Sequence, residues 1–295
     1  MRLANGLAAL VLQITLALAV AGSAMAPTGP AAAGGLPSYT SPGAGQPAVE
    51  NPKLTARDVT ERLFKAAPGA RPDLNALNLT RLDLAELDFK GADLAKADLF
   101  GADLSRANLA GASLAGAILD SATITAADFS GADLTDTRML RPTIFTTLEV
   151  TTSEAPKFVG ARLVRLRSDG YLERADFTDA DLTEAILGRS AMREPAVNAP
   201  ASLSSANFTR AILKDAKLPG TSLAYARFID ADLSGANLRG SNLTKADFTG
   251  ANIAGADFTG ANLDEADLRG ARGLDQAIGL ASATNYDRTQ RDPIP

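Results

Sequence analysis

From Leu74 the apolar positions recur every fifth residue, through Leu79, Leu84, Phe89, Leu94 and Leu99, without a break to Met139. The same step resumes at Leu203 and runs to Leu268. A spacing of five suits neither regular element. On an α-helix the fifth neighbour lies about 140° round the cylinder, and on a strand an odd step sends successive side chains to opposite faces. The chain must therefore turn within each unit. Two residues before each centre is a second restricted place, which is alanine nine times in succession from Ala92 to Ala132 and twelve times in fourteen in the second run. Glycine recurs two residues after the centre, as at Gly91, Gly101, Gly240 and Gly260, where a corner needs permissive dihedrals.

A unit too short to bury its own apolar side must stack on copies of itself. Four units to a turn put residue n beneath residue n+20. That stacking places Phe208, Phe228 and Phe248 in one aromatic ladder and Thr221 and Ser241 in one column of small polar groups. The predicted unit is one side and corner of a square coil, with its centre and its alanine inward and its other three residues facing water. The first coil carries Pro72, Leu77, Leu82 and Leu87 at the alanine places, so that end is wider and more apolar. A helix over 55–67 is the expected lid. Thr55 and Asp58 form a capping box, Val59, Leu63 and Phe64 are read as its covering face, and Pro68-Gly69 ends it.

The rest of the chain divides by composition. Residues 1–26 have a basic start, an apolar stretch and small residues, the pattern of an export signal, with an uncleaved membrane anchor as the alternative. Residues 27–52 are a Pro/Gly-rich linker, and 53–71 the cap. A first repeat block spans 72–141 and an irregular insertion 142–171, which keeps possible units at Phe158 and Leu163. A short block over 172–202 resumes in another phase through Leu172, Phe177, Leu182, Leu187 and Met192. A second block covers 203–273, and 274–295 is a C-terminal cap or tail. The intervals between blocks are not multiples of five, so slips are expected there as loops or bulges.

At this point "ADLAKADLFGADLSRANLAGA" and "ADLSGANLRGSNLTKADFTGANIAGADFTGANLDEADLRGA" carry a resemblance. They are similar to the pentapeptide-repeat family, whose motif is A(D/N)LXX. The resemblance covers roughly 72–273 and implies an all-β solenoid, a right-handed quadrilateral β-helix. Counting the units that keep the rhythm gives about eight coils, about 40 Å at about 4.8 Å each.

Composition narrows the chemistry. The 295 residues include no Cys and no His, which removes disulfides, thiolate nucleophiles, imidazole bases and the usual zinc ligands. The reading is no catalytic, cofactor or metal site, and no enzyme. The net charge of -5 disfavours nucleic-acid phosphates as a partner. Candidate interaction residues are Asp93, Asp98, Asp103 and Asp133, just before their centres, and Arg162, Arg165 and Arg167 in "ARLVRLR". The acids form either a carboxylate column for a basic partner or a solvated face, and the latter outweighs the former. The arginines grip an anionic partner or form the charged outer side of a strand; again the second reading is favoured.

Two functions remain. One is an exported scaffold, periplasmic or secreted, that binds a protein or envelope component through its sides and meets the membrane only through residues 1–26 if these are uncleaved. The other follows from the resemblance: some family members imitate B-form DNA, bind type II topoisomerases and confer quinolone resistance. Export and the dilute charge favour the scaffold.

Overall fold

Each unit turns a corner by one repeated hydrogen bond. In the unit centred on Leu104, Ala107 N–H donates to the Leu104 carbonyl at 3.0 Å, closing a four-residue turn whose third residue, Arg106, has φ 57°. The left-handed place two after the centre is filled by glycines such as Gly101 (φ 64°), but also by Lys96, Glu86 and Asp136 at φ 57–60°. This conformation costs a non-glycine residue about 1–2 kcal/mol. The computed structural model describes residues 54–67, 69–144, 154–188 and 201–292. The export segment, the linker, Pro68 and Met192 lie outside the described residues.

Coils join by parallel bridges between the residues just before the centres. Asp73 pairs with Asp93, Asn78 with Asp98 and Asp83 with Asp103, each twenty residues on. Leu104 N–H donates to the Thr123 carbonyl at 2.8 Å above, and Thr123 N–H donates to Ala102 at 2.9 Å below. The result is a four-sided parallel β-helix, whose faces are called first to fourth after the columns of Leu74, Leu79, Leu84 and Phe89. Three short strands on the second face pair in parallel: β1 (Arg138–Met139), β2 (Arg167–Ser168) and β3 (Ile186–Leu187). The centres and alanines form one continuous buried core.

Among the described residues the first face is bridged through ten levels, Asp73, Asp93, Ser113, Asp133, Arg162, Asp181, Ile212, Asp232, Asn252 and Arg272. The expected eight coils are thus nine, capped by a tenth level. The count falls short because two centres are concealed in the irregular interval. Ile144 fills the third face of the fourth coil just before the first slip, and Ser168, a polar residue, occupies a centre and is only 2% exposed. In the same unit Leu166 fills the place that alanine holds elsewhere, so the large and small residues have exchanged positions.

The slips are corrected by the register above them. Bridges step by 29 from Asp128 to Lys157, by 19 from Lys157 to Asp176 and by 31 from Asp176 to Asn207, then return to 20. From Ser168 to Leu172 a corner has lost one residue, and there Gly170 lies so close over Pro142 that a Cβ would meet its ring at 2.3 Å. The aromatic ladder passes straight through. Phe129, Phe158, Phe177, Phe208, Phe228 and Phe248 stack on the fourth face with centroids 4.9–5.0 Å apart. Beyond Leu268 the chain makes the tenth level from longer steps: Arg272, Ile278, Thr284 and Gln290 bridge downward, six residues apart.

Helix α1 (Ala56–Lys65) is held by the capping box: Asp58 N–H donates to Thr55 Oγ1, and Thr55 N–H to Asp58 Oδ2 at 2.8 Å. Val59 and Leu63 join the core, with the partly buried Leu77, Leu82 and Leu87 packed against it. Phe64, expected on that face, is 83% exposed. It stands five residues from Val59, and five steps of a helix lead about 140° away.

Candidate interaction surface

The residue before each centre faces outward, and the acids there have a local duty. Asp93 Oδ1 accepts from Ala95 N–H at 3.0 Å, Asp98 from Phe100 at 3.0 Å, Asp103 from Ser105 at 2.9 Å and Asp133 from Thr135 at 3.0 Å. Asn237, Asn242 and Asn262 do the same. Where Thr follows two residues on, its hydroxyl adds a second bond, as from Thr135 Oγ1 to Asp133 at 2.5 Å, and Ser105 does the same to Asp103. The short polar side chain thus fixes the entry to the corner, an Asx turn repeated up the rod. Each candidate acid keeps Oδ2 for other partners, and in Asp93 that oxygen accepts from Asn75 Nδ2 at 3.3 Å.

The bridge columns do not bring the four acids together. Asp93 and Asp133 share the first face two levels apart, while Asp98 is on the second face and Asp103 on the third. The arginines straddle one corner instead of lining one strand. Arg162 is on the first face directly above Asp133, and Arg167 on the second above Arg138. Arg165 stands at the corner between, with φ 56°. Its Nε and Nη2 each donate to the Asp136 carboxylate at 2.7 Å.

That pair belongs to a set which the fivefold pattern did not point out. Corner residues stack like the centres, and opposite charges meet there. Arg210 is bidentate to Asp179 at 2.7 Å, Arg106 reaches Glu86 at 3.4 Å, and Glu265 lies between Lys245 at 3.4 Å and Arg288 at 2.9 Å. Glu86 with Arg106 and Lys245 with Glu265 are twenty apart and could have been read from the sequence. Asp136 with Arg165 and Asp179 with Arg210 are hidden by the slips. Hydrogen bonds from these arginines, followed by their charge, hold the Asp136 and Asp179 carboxyls below the usual carboxylate range. The hydrogen bond from Arg269 does the same for Asp267.

Buried polar groups are few. Thr137, Thr221 and Ser241 occupy alanine places and donate their hydroxyls to the carbonyls of Leu114 at 2.8 Å, Leu187 at 3.1 Å and Leu218 at 2.6 Å. Thr221 and Ser241 do share a column. Asp120, 2% exposed, faces Arg138 Nε at 2.8 Å and accepts from Leu140 N–H at 3.0 Å. Among the described residues no group of His, Cys, Asp or Glu is arranged to hold a metal ion.

Charge is uneven along the rod. Residues 72–132, the first three coils, hold nine acids, Asp73, Asp83, Glu86, Asp88, Asp93, Asp98, Asp103, Asp120 and Asp128, against Arg81, Lys90, Lys96 and Arg106. The described part of coils four and five, from Asp133 to Thr178, holds six acids against seven bases.

Comparison with known proteins finds the same repeats in the sequence. The family profile described as pentapeptide repeats matches eight copies, over residues 73–106, 102–139, 201–240 and 241–272. No curated relative matches the chain. Among solved structures it is similar to HetL, a pentapeptide repeat protein involved in heterocyst differentiation regulation in Nostoc sp. strain PCC 7120. Identity there is 24%, over 76% of this chain and 90% of that one, with a TM-score of 0.30. It is also similar to QnrB1, a plasmid-mediated fluoroquinolone resistance protein, with 21% identity over 60% and 83% and a TM-score of 0.37. A pentapeptide repeat protein of the Arabidopsis thaliana thylakoid lumen matches at 24% identity over 45% and 82%, with a TM-score of 0.22. By its repeats and the coil they build, the chain is a member of the pentapeptide-repeat family, whose fold is the right-handed quadrilateral β-helix.

Proposed function

We propose that this protein is an exported, non-catalytic scaffold that binds a protein or envelope component through its flat outer faces. The observation that carries the reading is the filled interior. Stacked rings at 4.9–5.0 Å, leucines and alanines close the core, which leaves the sides for recognition. The absence of Cys and His from the sequence removes the commonest nucleophile and base chemistries. Export rests on the apolar, small-residue pattern of residues 1–26.

The uneven charge favours a second reading. Nine acids against four bases in the first three coils is a denser negative surface than the net -5 of the chain suggests. Such a surface suits the DNA-imitating activity known in the family, and QnrB1 is a resistance protein by description. Fractionation of cells expressing the C-terminally tagged chain, with mass measurement of its N-terminus, decides between the two. The scaffold reading expects envelope or medium fractions and a chain shortened within residues 1–26. Full-length protein in the cytosol overturns export. Inhibition of gyrase supercoiling, relieved by Asp93→Asn with Asp98→Asn and Asp103→Asn, then establishes the second reading.

A further inference from the structure

We propose that Asp169–Gly170, at the shortened corner of the fifth coil, is a self-modification site, where the backbone closes to a succinimide and reopens as isoaspartate. It is the chain's one Asp–Gly pair. The reaction needs an amide nitrogen free to attack, no side chain crowding that nitrogen, and a carboxyl group with one oxygen held and the other able to leave.

The nitrogen sets this corner apart. After Asp93, on a ladder, Leu94 N–H donates to the Ser113 carbonyl at 2.7 Å. After Asp179, at a regular corner, Ala180 N–H donates to the Phe177 carbonyl at 3.0 Å. Gly170 holds the place that alanine has in other units, but it stands only two residues beyond its centre, Ser168, so the turn bond that Ala107 makes to Leu104 does not form. The Ser168 carbonyl accepts from Gly188 N–H at 2.8 Å instead, and among the described residues Gly170 N–H donates to no acceptor. Packing also forces this position to be glycine, because a Cβ there would run into the Pro142 ring. The residue that fits the corner is thus the one that obstructs the attack least.

The carboxyl group is divided in the way the reaction requires. Asp169 Oδ1 accepts Arg141 N–H at 2.8 Å, while Oδ2 is buried without a partner. The donor on Oδ1 stabilises negative charge there as nitrogen adds to Cγ, the part that backbone N–H groups play in an oxyanion hole. Oδ2 is the leaving oxygen. In the carboxylic-acid form, the Gly170 nitrogen loses its proton on bonding to Cγ, and Oδ2 departs with that proton and its own as water. Water then opens the ring. Hydrolysis at Cγ restores aspartate, whereas hydrolysis at the main-chain carbonyl carbon routes the backbone through Cβ and Cγ. The corner that is one residue short then gains one backbone carbon, with no oxidant, cofactor or partner needed.

The test is peptide mapping by mass spectrometry of the full chain, sampled through a long warm incubation at neutral pH. Trypsin releases Ser168–Arg174. Succinimide shows as the loss of one water, and isoaspartate as a separate peak of unchanged mass that an Asp-specific protease does not cut. The folded chain should react at least as fast as the free peptide Arg165–Arg174; a rate more than about tenfold slower overturns the proposal. Asp120–Ser121 is the internal reference, since Ser121 N–H donates to the Leu140 carbonyl at 2.7 Å. That site should react at least about tenfold slower in the folded chain than in its own free peptide, and equal freedom at both sites would trace the reaction to unfolded chains and overturn the proposal. One alanine inserted between Gly170 and Tyr171 keeps the Asp–Gly pair but restores the five-residue corner. It should slow the reaction at least about tenfold, with a melting curve showing that the variant is folded, and an unchanged rate overturns the role of the short corner. The comparison of folded chain with peptide uses no variant and decides the question by itself if the insertion does not fold.

Discussion

Glycines of one conformation do different work in this rod. Gly260 and Gly273 both have positive φ, 67° and 78°. A Cβ on Gly260 meets nothing within 4 Å, whereas one on Gly273 would stand 2.6 Å from Cα and N of Ala254 in the coil beneath. Gly260→Ala should therefore cost only the left-handed penalty, about 1 kcal/mol. Gly273→Ala must also displace backbone and should cost clearly more. Urea denaturation of both variants checks this, and equal midpoints would contradict the close approach. Spacing marked Gly260 as a corner and put Gly273, five after Leu268, at the place of a centre, but it could not show the close approach to Ala254, which depends on where the six-residue steps of the cap carry the chain.

At the scale of the element, the fifth coil shows that the repeat is a rule about volume more than identity. Leu166 sits where alanine belongs and Ser168 where leucine belongs, and both are buried, at 1% and 2% exposure. Leu166→Ala alone should open a cavity and cost about 2–5 kcal/mol. Ser168→Leu alone should overpack the same unit and cost about 1–3 kcal/mol. The double variant restores the ordinary pattern and should lose much less than the sum; additive losses in a double-mutant cycle would show that the two sites do not share space. This exchange explains why the coil was not legible in the sequence. The rhythm of regular units, the upper phenylalanines and the Thr221–Ser241 column could be read, since each follows from one step of five or twenty, and the cap helix from its capping box and Pro68-Gly69 stop. Ser168 offered no apolar centre to count, and Phe64 was assigned a burial that its angular position on α1 denies.

For the molecule as a whole, acid should loosen the rod in a defined direction. The Asp136, Asp179 and Asp267 carboxyls are held below their ordinary range by Arg165, Arg210 and Arg269. A depressed folded-state value means stability that is present at neutral pH and lost as pH falls through the ordinary and then the depressed range. Melting temperature should be nearly flat from neutral pH down to about pH 5 and fall below about pH 4. The fall should be shallower in Asp136→Asn with Asp179→Asn, and these exposed pairs should matter less in high salt. A melting temperature that drops as much in the double variant as in the natural chain would assign acid sensitivity to other groups.

The column of rings on the fourth face runs from Phe129 to Phe248 across all three places where the chain leaves its rhythm. Phe177 and Phe208 touch at 4.9 Å although 31 residues separate them, and Ile186 is bridged to Lys217 over the same interval. Covalent continuity is thus not what joins the lower and upper repeats. A protease that severed the backbone between Leu187 and Leu203 would leave two polypeptides still sharing a single hydrophobic spine, and the particle would keep its mass in solution.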